Sequence, residues 1–239
     1  MVDTASLETS SDETLVDFDG DGVGELSIGR LPARTLAQAE TMTHKIVNYH
    51  PGNGGAVFAA DHNFEAVNQA ARNFLPTGLA VTEINRNGLD DDAMRSQIVN
   101  AFNAGPSIVQ YAGHGSVEVW TGAGVLNGQS INSLTNYKAL PLVVAMTCLN
   151  GYFHSPTSES LAERLLNAPN GGGVAVWASS GLTMTTGQTP MDRALFRFLY
   201  QNGDAPRLGD AARQAKRATT DSEVRRTWTL FGDPTMILR

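Results

Sequence analysis

The chain has 239 residues, 41% hydrophobic and 17% charged, enough to bury a large core as one domain or two small ones. A formal net charge of −7 and the lack of a basic stripe exclude a nucleic-acid binder on electrostatic grounds. The single cysteine, Cys148, excludes an internal disulfide framework and any multi-cysteine zinc site, and no run approaches the roughly 20 apolar residues of a membrane span.

Residues 1–16 are rich in Ser, Thr, Asp and Glu and read as a flexible polar lead-in, without the apolar stretch of a signal peptide. Asp17-Phe18-Asp19-Gly20-Asp21-Gly22-Val23-Gly24-Glu25 follows, with carboxylates at alternate positions and glycine at the sixth, like the start of a calcium loop. The twelfth position, where a bidentate Glu closes an EF-hand, is Ile28. Two readings stand: a structural calcium site using Asp17, Asp19, Asp21 and Glu25 with help from elsewhere, or a solvated acidic turn.

Leu26–Pro32 is a short extended piece, and Thr35 with Gln38 makes a capping box for a helix running to about residue 49. His44 and His50, on or just after that helix, read as surface residues. Past the Pro51–Gly55 break, element types alternate. Strands are predicted at 56–60, 80–84, 108–111, 142–146 and 174–178. Helices are predicted over 63–74, from the Asp90-Asp91-Asp92 start to the Gly105-Pro106 stop, and behind the Ser160/Glu163 cap. Pro190 is expected to open a further helix that Gly203 ends, 209–218 to form the last helix, and 228–230 with 236–238 a final strand or hairpin. Nearly all-apolar strands alternating with helices predict an α/β fold whose sheet is covered on both faces. No repeat or interior linker appears, so residues 17–239 read as one domain, and no motif specifies an oligomeric state.

In such sheets, sites form beyond the carboxyl ends of the strands. Asp61-His62 follow the strand at 56–60, Gly113-His114-Gly115 the strand at 108–111, and Cys148 the strand at 142–146. A thiol attacks carbonyl carbon once a neighbouring imidazole takes or shares its proton. Backbone N–H groups of Gly115 and Cys148 would meet the developing oxyanion, and a carboxylate on the other ring nitrogen would hold His114. Competing readings are a core thiol, a turn histidine and an Asp61 that merely caps the next helix. Ser179-Ser180-Gly181, also at a strand end, reads as turn or pocket lining, or more weakly as a serine nucleophile without the Gly-x-Ser-x-Gly elbow.

Tyr111-Ala112-Gly113-His114-Gly115-Ser116 through Trp120, Thr147-Cys148-Leu149-Asn150-Gly151-Tyr152-Phe153, and Thr227-Trp228-Thr229-Leu230-Phe231-Gly232-Asp233-Pro234 together resemble the gingipain-type cysteine peptidases. Asp19-Gly20-Asp21-Gly22 through Ile28-Gly29-Arg30-Leu31-Pro32 resembles that family's opening segment. The resemblance runs from about residue 17 to the C-terminus. It implies a caspase-like three-layer α/β/α sandwich with a mostly parallel central sheet, and endopeptidase activity on polypeptide substrates. It also implies bacterial secretion or surface display, and a chain that is the catalytic part of something longer. Carried over by position, Cys148 is the nucleophile, His114 its partner, and Gly115 with Cys148 the oxyanion donors. Asp61 is the nearest match to the acidic residue that orients the histidine. Glu65 is the nearest candidate for the acid that selects basic side chains, and Trp120, Ser179 and Ser180 join it as expected substrate contacts. No tryptophan stands near Met184-Thr185-Thr186, so cleavage after Arg or Lys is not implied. No cofactor is required for catalysis, and structural calcium fits the family. The alternative is a catalytically inactive caspase-like module that binds a partner in a secretion or surface assembly.

Overall fold

The computed structural model describes residues 1–201 and 205–238. The first third contains β1 (Val2–Asp3), β2 (Glu8–Thr9), α1 (Leu36–Val47), β3 (Ala56–Ala60), α2 (Glu65–Arg72) and β4 (Val81–Asn85). The middle adds α3 (Asp91–Asn103), β5 (Ile108–Ala112), a hairpin of β6 (Gly115–Ser116) and β7 (Val119–Trp120), α4 (Gly128–Asn132) and β8 (Leu142–Met146). The last third has α5 (Leu161–Asn167), β9 (Ala175–Ser179), α6 (Thr185–Tyr200), α7 (Leu208–Arg217), α8 (Ser222–Thr227) and β10 (Trp228–Phe231).

The central sheet has six strands in the order β10-β9-β8-β5-β3-β4, and every neighbouring pair is parallel except β9 with β10. β3, β5, β8 and β9 are buried at every position, as expected of strands covered on both faces. Alternate residues feed two cores. Phe58, Ile108, Val144 and Trp177 meet α2, α6 and α7, while Val57, Val109, Val143 and Val176 meet α1, α3, α4 and α5. The result is the expected three-layer α/β/α sandwich.

Local chemistry sets the element ends. Thr35/Gln38 and Ser160/Glu163 both form complete capping boxes, and Asp90 caps α3 through the Ala93 N–H. The Lys45 ammonium, fully buried, donates to the carbonyls of Leu165, Leu166 and Gly171 and so satisfies the end of α5. Pro190 does not open α6. The Met184 carbonyl already accepts from Gly187 and Gln188, so the helix starts at Thr185 and Pro190 lies inside it. Gly203, expected to end that helix, lies outside the described residues.

The opening residues also differ from expectation. Residues 1–16 are packed rather than loose: Thr9, Asp12 and Glu13 are buried. Asp12 pairs with Arg30, and Glu13 forms a buried ion pair with Lys216 of α7. A buried carboxylate needs such a partner, and both partners lie far along the chain. Among the described residues no helix is long and apolar enough to cross a membrane.

Candidate active site

The chain runs from β3 out to β4 and then crosses to β5 on the other side of β3, so the strand order reverses between β3 and β5. A crevice at the strands' carboxyl ends belongs at such a reversal. Asp61 leaves the end of β3 there, and its N–H donates to Ala112 O of β5 at 2.9 Å. On the next pair, Ala112 is opposite Met146 in the parallel register, so His114 and Cys148 each stand two residues beyond paired neighbours. Adjacent strands lie about 4.8 Å apart, which brings the two exits side by side.

Several contacts lock those exits together. The Gly113 N–H donates to Met146 O at 3.2 Å, the Asn150 side-chain amide to Ser116 O at 2.5 Å, and the Leu161 N–H to Val117 O at 2.7 Å. Both glycines of Gly-His-Gly answer to close approach. A Cβ at Gly113 would stand 2.3 Å from the Tyr111 hydroxyl and 2.7 Å from Asp61 Cβ. One at Gly115 would stand 2.2 Å from Thr147 Oγ1 and 3.3 Å from Cys148 O.

His114 itself is exposed, with Phe64 edge-on to its ring at a centroid distance of 5.0 Å. Its backbone carbonyl accepts from the buried Tyr111 hydroxyl at 2.9 Å. Burial, then the nearby Asp61 carboxylate, push the Tyr111 phenol well above its ordinary pKa, so it is a dependable donor. Cys148 is half-buried. Its Sγ accepts from the Thr183 N–H and faces the Thr183 carbonyl, each at 3.5 Å. Neither ring nitrogen of His114 has a hydrogen bond to a described residue.

Asp61 is buried beside this cluster, but its Oδ1 is held by Arg86 at 3.4 Å and by the His62 N–H at 3.0 Å. Glu65 accepts from Asn87 Nδ2 at 2.8 Å, on the first turn of α2. Three expected substrate contacts are corrected. Trp120 is fully buried and stacks on Tyr111 at 4.3 Å, so it supports the histidine's strand rather than facing a substrate. Ser179 is fully buried, bonded to Thr227 Oγ1 at 3.0 Å and to Gly181 O at 3.2 Å. Ser180 is fully buried too, its hydroxyl on Ser10 O at 2.6 Å, so neither serine presents a nucleophile or a binding surface. Thr183, Arg86 and Phe64 touch the site's residues without having been singled out. Their partners lie between 25 and 50 residues away in sequence, and no local pattern announces them.

In the loop that follows the N-terminal segment, one carboxylate oxygen from each of Asp17, Asp19 and Asp21 lies within 4.8 Å of the others. That oxygen-only donor set suits a hard cation such as calcium. Glu25 is not part of the trio: its Oε2 accepts the Phe18 N–H at 2.6 Å.

A mostly parallel six-stranded sheet between two helical layers, with histidine and cysteine on adjacent strand exits, is a caspase-like fold. The chain belongs to peptidase family C25, whose family model matches residues 1–239. Gingipain R2 and gingipain R1 of Porphyromonas gingivalis are each 31% identical over 163 residues, 63% of this chain. That stretch is 22% of the former protein and 16% of the latter, so the chain spans a small part of these relatives' length. Among solved structures, the Arg-specific cysteine proteinase gingipain R superposes with a TM-score of 0.83 at 22% identity, covering 97% of this chain and 60% of that one. A complex of pro- and mature domains from the same organism gives 0.83 at 21%, covering 100% and 62%. At those identities the superpositions show the fold.

Proposed function

We propose that the chain is a cysteine endopeptidase unit acting through Cys148 and His114. Cys148 Sγ attacks the scissile carbonyl as its proton passes to His114, and the C–N bond breaks as His114 returns that proton to the leaving amine. Water, deprotonated by His114, then hydrolyses the thioester. The N–H groups of Gly115 and Cys148 receive the oxyanion, and Asp61 orients the imidazole on substrate binding, when loose catalytic hydrogen bonds tighten. The observation that supports this most is the register of β5 and β8, with Gly115 packed on Thr147 and Cys148, in a member of family C25. Structural calcium at Asp17, Asp19 and Asp21, and a secreted or cell-surface bacterial setting, complete the reading.

The test is a mixed peptide library incubated with the parent and with Cys148→Ala. Cleavage confined to the parent is the expected result. Identical, uncut profiles would refute the peptidase reading and leave the caspase-like binding module as the alternative.

A further inference from the structure

The Cys148 sulfur is hydrogen-bonded to Thr183, and the short segment around Thr183 carries exposed apolar surface. The segment is held rigidly. Gly181 O accepts the Leu149 N–H at 3.1 Å, and Ser179 Oγ accepts the Gly181 N–H at 3.0 Å. Gln188 of α6 donates to Thr183 Oγ1 at 2.8 Å and to Thr183 O at 3.3 Å. Thr183 is thus pinned against the sulfur, and its two neighbours face solvent: Leu182 is 38% exposed and Met184 70%. Across the site, Phe64 lies against the His114 ring. Exposed large apolar side chains on a fixed support beside a nucleophile form a contact surface for a ligand group.

The nearby charges agree. A basic side chain brought out of water needs a carboxylate free to face it. Asp61 is ion-paired with Arg86 and Glu118 with Arg164, while Glu65 is held through one oxygen by the Asn87 amide and Asp221 caps α8 through one oxygen, on the N–H groups of Glu223 and Val224. We infer that the substrate residue contributing the attacked carbonyl is apolar, its side chain lying on Leu182 and Met184. This rests on the peptidase reading above and names its substrate class.

The experiment uses fluorogenic peptides that differ only at that residue: Leu, Met, Phe, Arg, Lys or Glu. The expected result is a kcat/KM about tenfold or more higher for the apolar set than for Arg or Lys, the scale of discrimination by one apolar contact. Met184→Glu should lower that ratio at least several-fold by favouring Arg and Lys, and Met184→Lys should instead raise turnover of the Glu peptide. Both changes are on the surface and leave the core intact. Cys148-dependent cleavage that prefers Arg or Lys, or a preference that neither substitution moves, overturns the inference while the peptidase reading stands. If no peptide is cut and Cys148→Ala behaves identically, the peptidase reading itself fails and takes the inference with it.

Discussion

Replacing Gly115 with alanine tests the packing that joins the two strand exits. The new Cβ would stand 2.2 Å from Thr147 Oγ1 and 3.2 Å from Thr147 Cγ2, where ordinary contact begins near 3.4 Å. Thr147 has little room to yield, being buried and β-branched. Overpacking of this kind costs about 1–3 kcal/mol. A domain of this size loses roughly 2–4 °C in Tm per kcal/mol, so thermal unfolding followed by circular dichroism should fall on the order of 5 °C. Thr147→Ala removes both clashes. Alone it costs little, because Thr147 Oγ1 is buried without a hydrogen-bond partner and its loss removes an unsatisfied group. The double variant Gly115→Ala/Thr147→Ala should therefore recover most of the loss, a coupling of about 1–2 kcal/mol between touching residues. A Gly115→Ala protein as stable as the parent, or a double variant no better than the sum of the singles, would refute the contact between the exits.

Other variants probe the buried polar groups and the acidic loop. Burial pushes the Asp192 carboxyl from 3.8 up to about 8, Gln110 donating to one oxygen at 2.9 Å while the other has no partner. With the folded pKa above the unfolded one, its stabilisation is full below about pH 4 and is lost as pH rises toward about 8, so between pH 5 and 7 the parent should lose on the order of 2–3 kcal/mol more than Asp192→Asn; parallel urea-unfolding results at the two pH values would contradict this. Burial pulls Lys45 down to about 7, and Lys45→Met, which orphans three carbonyls, should cost about 2–4 kcal/mol by urea unfolding; a loss below about 0.5 kcal/mol would show that Lys45 is not the cap of α5. Calcium at about 1 mM should raise the parent's Tm and leave the paired Asp19→Asn/Asp21→Asn variant unmoved; a parent indifferent to calcium would reduce the trio to a solvated turn.

The central strands were legible because burial on both faces leaves little freedom in composition. Ala56–Ala60 and Leu142–Met146 are apolar throughout and run between the predicted residues. Capping boxes were legible because they act within four residues. What escaped depended on distant partners. Asp12 and Glu13 look like solvated acids until Arg30 and Lys216 are folded against them. Pro190 looked like a helix start because its ring suits a first turn, yet the Met184 carbonyl had already begun the helix.

The same division runs through the candidate site. His114 and Cys148 could be placed at strand ends from hydrophobic runs alone, and that placement needed no side-chain contact. Trp120 was assigned from a motif and Ser179 and Ser180 from their place at a strand end, and neither says which way a side chain faces: all three are buried in the supporting structure. Gly-His-Gly carried more information than its weak motif suggests. Its two glycines are there because Tyr111 and Asp61 press on one and Thr147 on the other, so the motif marks a backbone squeezed between neighbouring strands. That squeeze fixes the histidine's exit beside the cysteine's. Beside the cysteine, Thr183 is fixed by Gln188, while the side chains of Leu182 and Met184 stand in solvent and feel no such squeeze.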